Sequence, residues 1–148
     1  MKNKGFTLLE LILCISIMCI LFSVALLNVN IFTGQREKSE IREFVRDINY
    51  IRNRAIIEST SYTIYLKFGT NSYDIQRHTG SKRDIIKRKE FDYGIKLKGT
   101  NINQREISFN NNGTPRYSGE IILENSKGDR ICITITPATG RVNVYYNE

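Results

Sequence analysis

The sequence predicts an α+β fold in which a long N-terminal helix packs on an antiparallel β-sheet. Three patterns support this prediction. An apolar run extends from residue 6 to 27, apolar residues then recur with helical spacing to residue 58, and from Tyr62 onward the period changes to two. When about 30 of the 148 residues are set aside for the apolar segment, roughly 115 remain, which is enough for one soluble domain.

The first part of the helix has the length and composition of a membrane span. The run from Phe6 to Leu27 is interrupted only by Thr7, Glu10, Ser16 and Ser23. A helix of this length rises about 33 Å, whereas a bilayer core is about 30 Å thick. Lys2 and Lys4 precede the run, so the positive-inside rule places the N-terminus in the cytoplasm. We therefore expect residues 6–33 to form a single-pass transmembrane helix, with the rest of the chain extracytoplasmic.

Two ordinary explanations of this segment fit less well. A secretory signal peptide has an apolar region of about 7 to 15 residues and then a small-x-small cleavage site. This run is longer and ends in Leu-Leu-Asn-Val-Asn. A plain membrane anchor gives no reason for Glu10, because a carboxylate costs about 2 to 3 kcal/mol at mid-membrane depth and less towards the interface.

The stretch Lys4-Gly5-Phe6-Thr7-Leu8-Leu9-Glu10 resembles the class III signal of type IV pilins and type II secretion pseudopilins. The resemblance implies that residues 1–5 are a leader, that prepilin peptidase cleaves after Gly5, and that Phe6 becomes the N-methylated terminus. It also implies a type IV pilin-like lollipop shape. Further implied partners are other pilins or pseudopilins, an assembly platform protein and the cytoplasmic (inner) membrane.

Glu10 has an expected role in assembly. Cleavage would create an amine at Phe6, and Glu10 lies one helical turn further along, so each charge lowers the desolvation cost of the other. In the family this carboxylate is thought to meet the terminal amine of a neighbouring subunit.

Residues 34–58 continue as an amphipathic helix. No proline interrupts residues 6–58, so both parts could form one helix roughly 80 Å long. The other face of residues 34–58 carries charged residues that include Arg36, Glu40 and Asp47, and we expect it to be solvated. The apolar positions are Ile41, Phe44, Val45, Ile48, Ile51, Ala55 and Ile56.

Residues 59–148 are predicted to form a β-rich head. Turn signals such as Asn112-Gly113 and Thr139-Gly140 separate short runs of alternating apolar residues. We expect one antiparallel sheet whose apolar face is covered by residues 41–56. The predicted strands are Tyr62 to Phe68, Tyr73 to Gln76, Ile85 to Phe91, Gly94 to Leu97, Glu106 to Phe109, Glu120 to Glu124, Arg130 to Thr136 and Arg141 to Tyr146.

The C-terminal half adds a second resemblance. Ile107-Ser108-Phe109, Gly113, Gly119, Ile121 to Leu123, Arg130 to Ile135 and Thr139-Gly140-Arg141-Val142 are similar to the GspH and FimT family of minor pseudopilins. In size the chain also resembles ComGD-like competence pseudopilins. These resemblances imply a subunit that initiates, primes or caps a type IV pilus-like filament, in type II secretion, competence DNA uptake or a type IV pilus. The chain could instead be a major pilin. Sheared filaments would distinguish these roles, because a major subunit should dominate them whereas a minor subunit should be scarce.

The residues themselves suggest one competing function, which is DNA contact. Lys and Arg outnumber Asp and Glu by 22 to 15, and cationic side chains bind nucleic acid by displacing counterions from phosphates. The alternative is that these residues simply line a loop and the solvent face of a strand. The candidate DNA contacts are Arg77, Lys82, Arg83, Lys87, Arg88 and Lys89.

The sequence contains no pattern that indicates catalysis. His78 is the one histidine, and no Cys-x-x-Cys, His-Glu-x-x-His, EF-hand or phosphate-loop pattern occurs. We therefore expect no enzyme activity, no catalytic residue, no metal and no cofactor.

Overall fold

The structure, a computed structural model, describes residues 7–27, 29–80 and 82–147. The chain divides into two compact units, Met1–Arg36 and Glu37–Glu148. The predicted cleavage-site residues Gly5 and Phe6 lie outside the described residues.

Two helices begin the described chain: α1 spans Leu8–Leu27 and α2 spans Val29–Ile57. The C-terminus of α2 has a defined cap. Ser59 has a left-handed backbone with φ of 50°, the Thr60 N–H donates to Ala55 O at 3.2 Å, and the Ser59 N–H donates to Ile56 O at 3.4 Å. These two bonds make a Schellman motif, which satisfies carbonyls that the end of the helix would otherwise leave without donors.

The described residues of the Glu37–Glu148 unit form eight strands in two four-stranded antiparallel sheets. One sheet has the order β3-β2-β1-β5 and the other β4-β6-β7-β8. A 3-10 turn, Asn103–Arg105, precedes β5. The strands are β1 Tyr62–Lys67, β2 Ser72–Thr79, β3 Lys82–Glu90, β4 Lys96–Thr100, β5 Glu106–Phe109, β6 Gly119–Glu124, β7 Arg130–Ile135 and β8 Val142–Asn147.

The α+β class is confirmed, but the strands form two sheets where we expected one. β5 pairs with β1, with Tyr62 opposite Phe109, and β4 pairs with β6, with Leu97 opposite Leu123. Alternation in a sequence shows which face of a strand is buried, whereas the choice of neighbouring strand depends on contacts between distant segments.

The amphipathic part of α2 packs on both sheets and shares one core with them. Phe44 is the centre of an aromatic group, with ring centroids 4.8 Å from Tyr73 and 5.5 Å from Phe91. Ile56 is 46% exposed, so the prediction that it is buried is wrong. It lies in the last turn of α2, against Gly113. The α2 residues with at most 2% exposure are Ile41, Phe44, Ile48, Ile51 and Ala55.

The charged side of α2 is less solvated than we predicted. Glu40 is only 4% exposed, and its carboxylate accepts hydrogen bonds from the backbone N–H groups of Asp92 (2.8 Å) and Tyr93 (3.2 Å). Glu37 is 5% exposed and accepts from the Ser126 N–H at 3.2 Å. These carboxylates therefore attach α2 to two loops of the β-rich unit.

Candidate functional site

The start of α1 holds the first candidate site residue, Glu10. Thr7 precedes the helix, and its Oγ1 accepts a hydrogen bond from the Glu10 N–H at 3.3 Å. Thr7 thus acts as the N-cap and Glu10 occupies the third helical position, where a negative charge is favoured by the helix dipole. The spacing Thr-x-x-Glu is a capping-box signature, so the sequence contains the signal for this cap, which we did not predict.

The hydroxyl groups that interrupt the apolar run are satisfied within α1. Ser16 Oγ donates to Ile12 O and Ser23 Oγ donates to Cys19 O, each at 2.8 Å. Such bonds to the preceding turn let serine reside in an apolar helix without an unpaired donor. The Glu10 carboxylate differs, because it makes no hydrogen bond or ion pair to any of the described residues.

The described side chains of α1 are otherwise mostly apolar, and none of them is covered within its own unit. From Leu8 to Ser23 every side chain is exposed, for example Leu8 at 78% and Phe22 at 69%. An all-round apolar helix requires burial in a protein assembly or a membrane. Glu10 is therefore a charged group within a surface that must become buried.

The candidate DNA-contact residues come together on two neighbouring strands. Arg77 lies in β2, and Lys82, Arg83, Lys87, Arg88 and Lys89 lie in β3. β3 is an edge strand, and it pairs along its whole length with β2.

Ion pairs neutralise most of this cluster. Lys87 Nζ lies 2.8 Å from Glu43 Oε1 and 2.7 Å from Asp47 Oδ2. Lys89 Nζ lies 3.6 Å from Glu43. Arg83, Arg88 and Arg77 pair with carboxylates at 2.8 to 3.1 Å, namely Glu106, Asp74 and Glu58 respectively. Lys82 makes no ion pair with any described residue.

The cluster is also divided between the two faces of its sheet. Lys87 and Lys89 point to the carboxylates of α2. Arg88 points to Asp74, which follows the core residue Tyr73 in β2 and therefore lies on the other face of the sheet. A register shift between Ile75 and Gln76 changes the facing of β3 at this point. The six cations therefore do not form one continuous surface.

The pKa directions in the cluster agree with this pairing. The hydrogen bond from Lys87 lowers the pKa of Glu43, and the hydrogen bond from Arg88 lowers the pKa of Asp74. Burial alone would lower the pKa of Lys87, but its bonds to Asp47 and Glu43 raise it. These three groups thus stay charged and paired at neutral pH.

Comparison with known proteins places the chain in its class. Residues 1–26 match the model of the prokaryotic N-terminal methylation motif, and residues 40–139 match the model of the type II transport protein GspH family. The fold is similar to that of the minor pseudopilin EpsH from the type 2 secretion system of Vibrio cholerae. The TM-score is 0.61 at 10% sequence identity, with 75% of this chain and 97% of that chain covered. No curated protein sequence matches the chain significantly.

Helix, sheets and methylation motif together define a pilin-like protein. The chain belongs to the type II transport protein GspH family. Membership and motif imply a membrane-anchored subunit that associates with other pseudopilins in a filament. Judged by length and mean hydropathy, none of the helices within the described residues qualifies as a membrane span.

Proposed function

We propose that this minor pseudopilin initiates, primes or caps the assembly of a type IV pilus-like filament, and that Glu10 makes the assembly contact. One observation carries the proposal. Thr7, Ser16 and Ser23 are all satisfied inside α1, whereas the Glu10 carboxylate has no partner among the described residues. An unpaired carboxylate is costly on a surface that must be buried, so its partner belongs to the assembled state.

The partner that fits is an amine. Cleavage after Gly5 and methylation of Phe6 would give each subunit a cationic terminus one helical turn from Glu10. In a filament, the terminus of one subunit would meet Glu10 of its neighbour. This pairing would stabilise one axial register, because a displaced subunit would leave both charges unpaired.

A pair of substitutions separates the charge of Glu10 from its place in the helix cap. Glu10→Gln keeps a side chain that suits the capping box and removes the charge. Thr7→Ala removes the cap and keeps the charge, at about 1 kcal/mol of helix stability. We expect cysteine crosslinking to other filament subunits to fall roughly tenfold in Glu10→Gln, as about 1.4 kcal/mol of lost association energy would produce. Thr7→Ala should crosslink nearly as wild type.

Wild-type crosslinking by Glu10→Gln would refute the assembly role of Glu10. If Thr7→Ala reduced crosslinking as much as Glu10→Gln does, assembly would depend on the capped start of the helix and not on the charge of Glu10.

The remaining parts of the proposal concern location and processing. Residues 6–33 cross the cytoplasmic membrane once, with the N-terminus in the cytoplasm and the head extracytoplasmic. Prepilin peptidase processes the chain, and an assembly platform protein recruits it. The chain catalyses no reaction itself, so a separate motor supplies the energy for assembly.

DNA contact by the head is the second candidate function. Its support is that Lys82, Arg83 and Arg88 are exposed on one edge strand. Electrophoretic mobility shift of the full chain in neutral detergent, at rising salt, tests it. DNA contact would be supported by binding at low salt that becomes weaker in the triple variant Lys82→Ala, Arg83→Ala and Arg88→Ala. The salt dependence of binding should also be smaller in this variant, because each lost phosphate contact lowers it. No binding at low salt would exclude it.

A further inference from the structure

A second group of cations lies away from β3, around a cavity between α2 and the start of β7. The cavity has a volume of about 450 Å³. We call it the basic groove. Lys38 and Arg42 contribute from adjacent turns of α2, Lys127 from the turn between β6 and β7, and Arg130 from the first position of β7. The sequence pattern did not reveal this group, because Lys38 and Arg42 are about 90 residues away from Lys127 and Arg130.

The four cations of the basic groove are not neutralised. Four of the five β3 cations are in ion pairs, whereas none of the groove cations makes an ion pair with any residue that the structure describes. One acid, Asp129, lines the groove beside the four cations, and a second nearby acid, Glu37, is buried. Asp129 Oδ2 accepts from Asn125 Nδ2 at 2.8 Å, and the Glu37 carboxylate is buried on the Ser126 N–H. The groove therefore keeps a net positive charge.

The wall formed by the β6–β7 turn is held in one conformation. Asn125 Oδ1 accepts hydrogen bonds from the backbone N–H groups of Lys127 (3.0 Å) and Asp129 (2.8 Å). Gly128 has φ of +90°, a backbone conformation that glycine adopts readily. Lys127 and Arg130 are thus presented from a fixed backbone, which reduces the ordering cost of binding.

The wall also has an apolar component. Ile131 and Tyr146 also line the groove, and Tyr146 is 54% exposed. An exposed tyrosine beside arginine and lysine is typical of protein interfaces, where aromatic rings supply contact area and cations supply complementarity.

We propose that the basic groove binds a carboxylate-rich segment of a different subunit of the filament. The inference rests on the proposed function, since it takes the partner from the same assembly. A second copy of this chain is a poorer fit, because six of its fifteen acidic side chains are already in ion pairs between described residues, and Glu37, Glu40 and Asp129 accept hydrogen bonds within the chain. Those in ion pairs are Glu43, Asp47, Glu58, Asp74, Glu106 and Glu124.

A protein segment fits the shape of the groove better than duplex DNA does. Proteins read a duplex with an element that protrudes into a major groove about 12 Å wide. The four cations here line a recess, which suits side chains that enter from a partner surface.

The test uses the full chain in neutral detergent micelles and two fluorescent probes of equal charge. One probe is a short peptide of alternating glutamate and alanine, and the other is a single-stranded oligonucleotide. Fluorescence anisotropy should show that Lys127→Ala with Arg130→Ala weakens peptide binding roughly tenfold, equivalent to about 1.4 kcal/mol. Lys96→Ala with Arg141→Ala is the matched control, because it removes one lysine and one arginine from exposed positions outside the groove.

The control pair should change peptide binding by no more than about twofold, since only the overall field is altered. Equal losses in both double variants would overturn the proposal, as would absence of peptide binding. Binding of the oligonucleotide alone would overturn it in favour of nucleic acid. The measurement requires no filament, so a negative result would not contradict the Glu10 proposal. Normal crosslinking by Glu10→Gln would likewise not contradict the proposal that the basic groove binds a carboxylate-rich segment.

Discussion

Glu40 lies on α2 and holds the loop between β3 and β4 by accepting two backbone hydrogen bonds, from Asp92 and Tyr93. Burial raises the pKa of Glu40, and the two backbone donors oppose that rise. Burial makes the ionised form of this carboxylate less stable than it would be in water. The carboxylate nevertheless serves as the acceptor for two backbone N–H groups.

Glu40→Ala should therefore lower the free energy of unfolding by about 2 kcal/mol, because two backbone donors lose their acceptor. Urea unfolding of the full chain in detergent, followed by tyrosine fluorescence, measures the change. Glu90→Ala is the control, since Glu90 is exposed on the edge strand β3, and it should alter stability by less than about 0.5 kcal/mol. Equal stability of Glu40→Ala and wild type would contradict the role of Glu40 in holding the loop.

His78 gives the head a pH dependence with a defined sign. Burial, assisted by Arg83, lowers the pKa of His78 below its usual 6.5, and its Nε2 lies 2.9 Å from Thr63 Oγ1. Below pH 6.5 the unfolded chain takes up the proton first, so stability falls as pH falls towards the folded pKa. Urea unfolding between pH 7.5 and 5.5 should show a smaller decline in His78→Gln than in wild type, and parallel declines would refute the assignment. His78 is the one histidine, so the comparison isolates its titration from that of the carboxylates.

At the scale of elements, α2 joins the two sheets through its apolar face. Phe44 is fully buried and contacts Tyr73 on β2 and Phe91 just after β3. Phe44→Ala should reduce the free energy of unfolding by about 3 to 5 kcal/mol, because it removes a large buried side chain and leaves a cavity. The same urea measurement checks it, with Arg46→Ala, an exposed position of α2, expected to be nearly neutral. A loss below about 1 kcal/mol would mean that the packing of Phe44 on Tyr73 and Phe91 does not stabilise the fold.

Local patterns in the sequence predicted the elements well. The helical spacing of Ile41, Phe44, Ile48 and Ile51 marked the buried face of α2, and alternation located all eight strands to within a few residues. These features depend on near neighbours, so periodicity reveals them.

Contacts between distant residues were not predictable in the same way. Lys87 is paired with Glu43 from α2, 44 positions earlier, and Arg88 with Asp74 from β2. The sequence alone showed six cations in a short stretch and favoured a charged surface, whereas the fold supplies an acid for five of them. The basic groove is the reverse case, since its cations are isolated in the sequence and are gathered by the fold.

At the scale of the whole molecule, the proposed assembly role requires that processing and pairing occur together. Glu10 is fixed in the first turn of α1, but an amine one turn away would exist only after residues 1–5 are removed. An unprocessed chain would carry the same apolar helix and the same carboxylate, but it would lack the cationic terminus that pairs with Glu10 of a neighbour.

Gly5→Val should therefore separate membrane association from assembly. We expect mass spectrometry of the wild-type chain to show an N-terminal peptide that begins at Phe6 and carries one methyl group. The Gly5→Val chain should keep its leader, because a branched side chain next to the scissile bond restricts the backbone that glycine leaves free. It should still sediment with membranes, yet its crosslinking to other filament subunits should fall as in Glu10→Gln. Asn3→Ala is the control, since it alters only the leader and should be processed and assembled normally. Full crosslinking by an unprocessed Gly5→Val chain would show that the chain does not need its own terminal amine to join the filament.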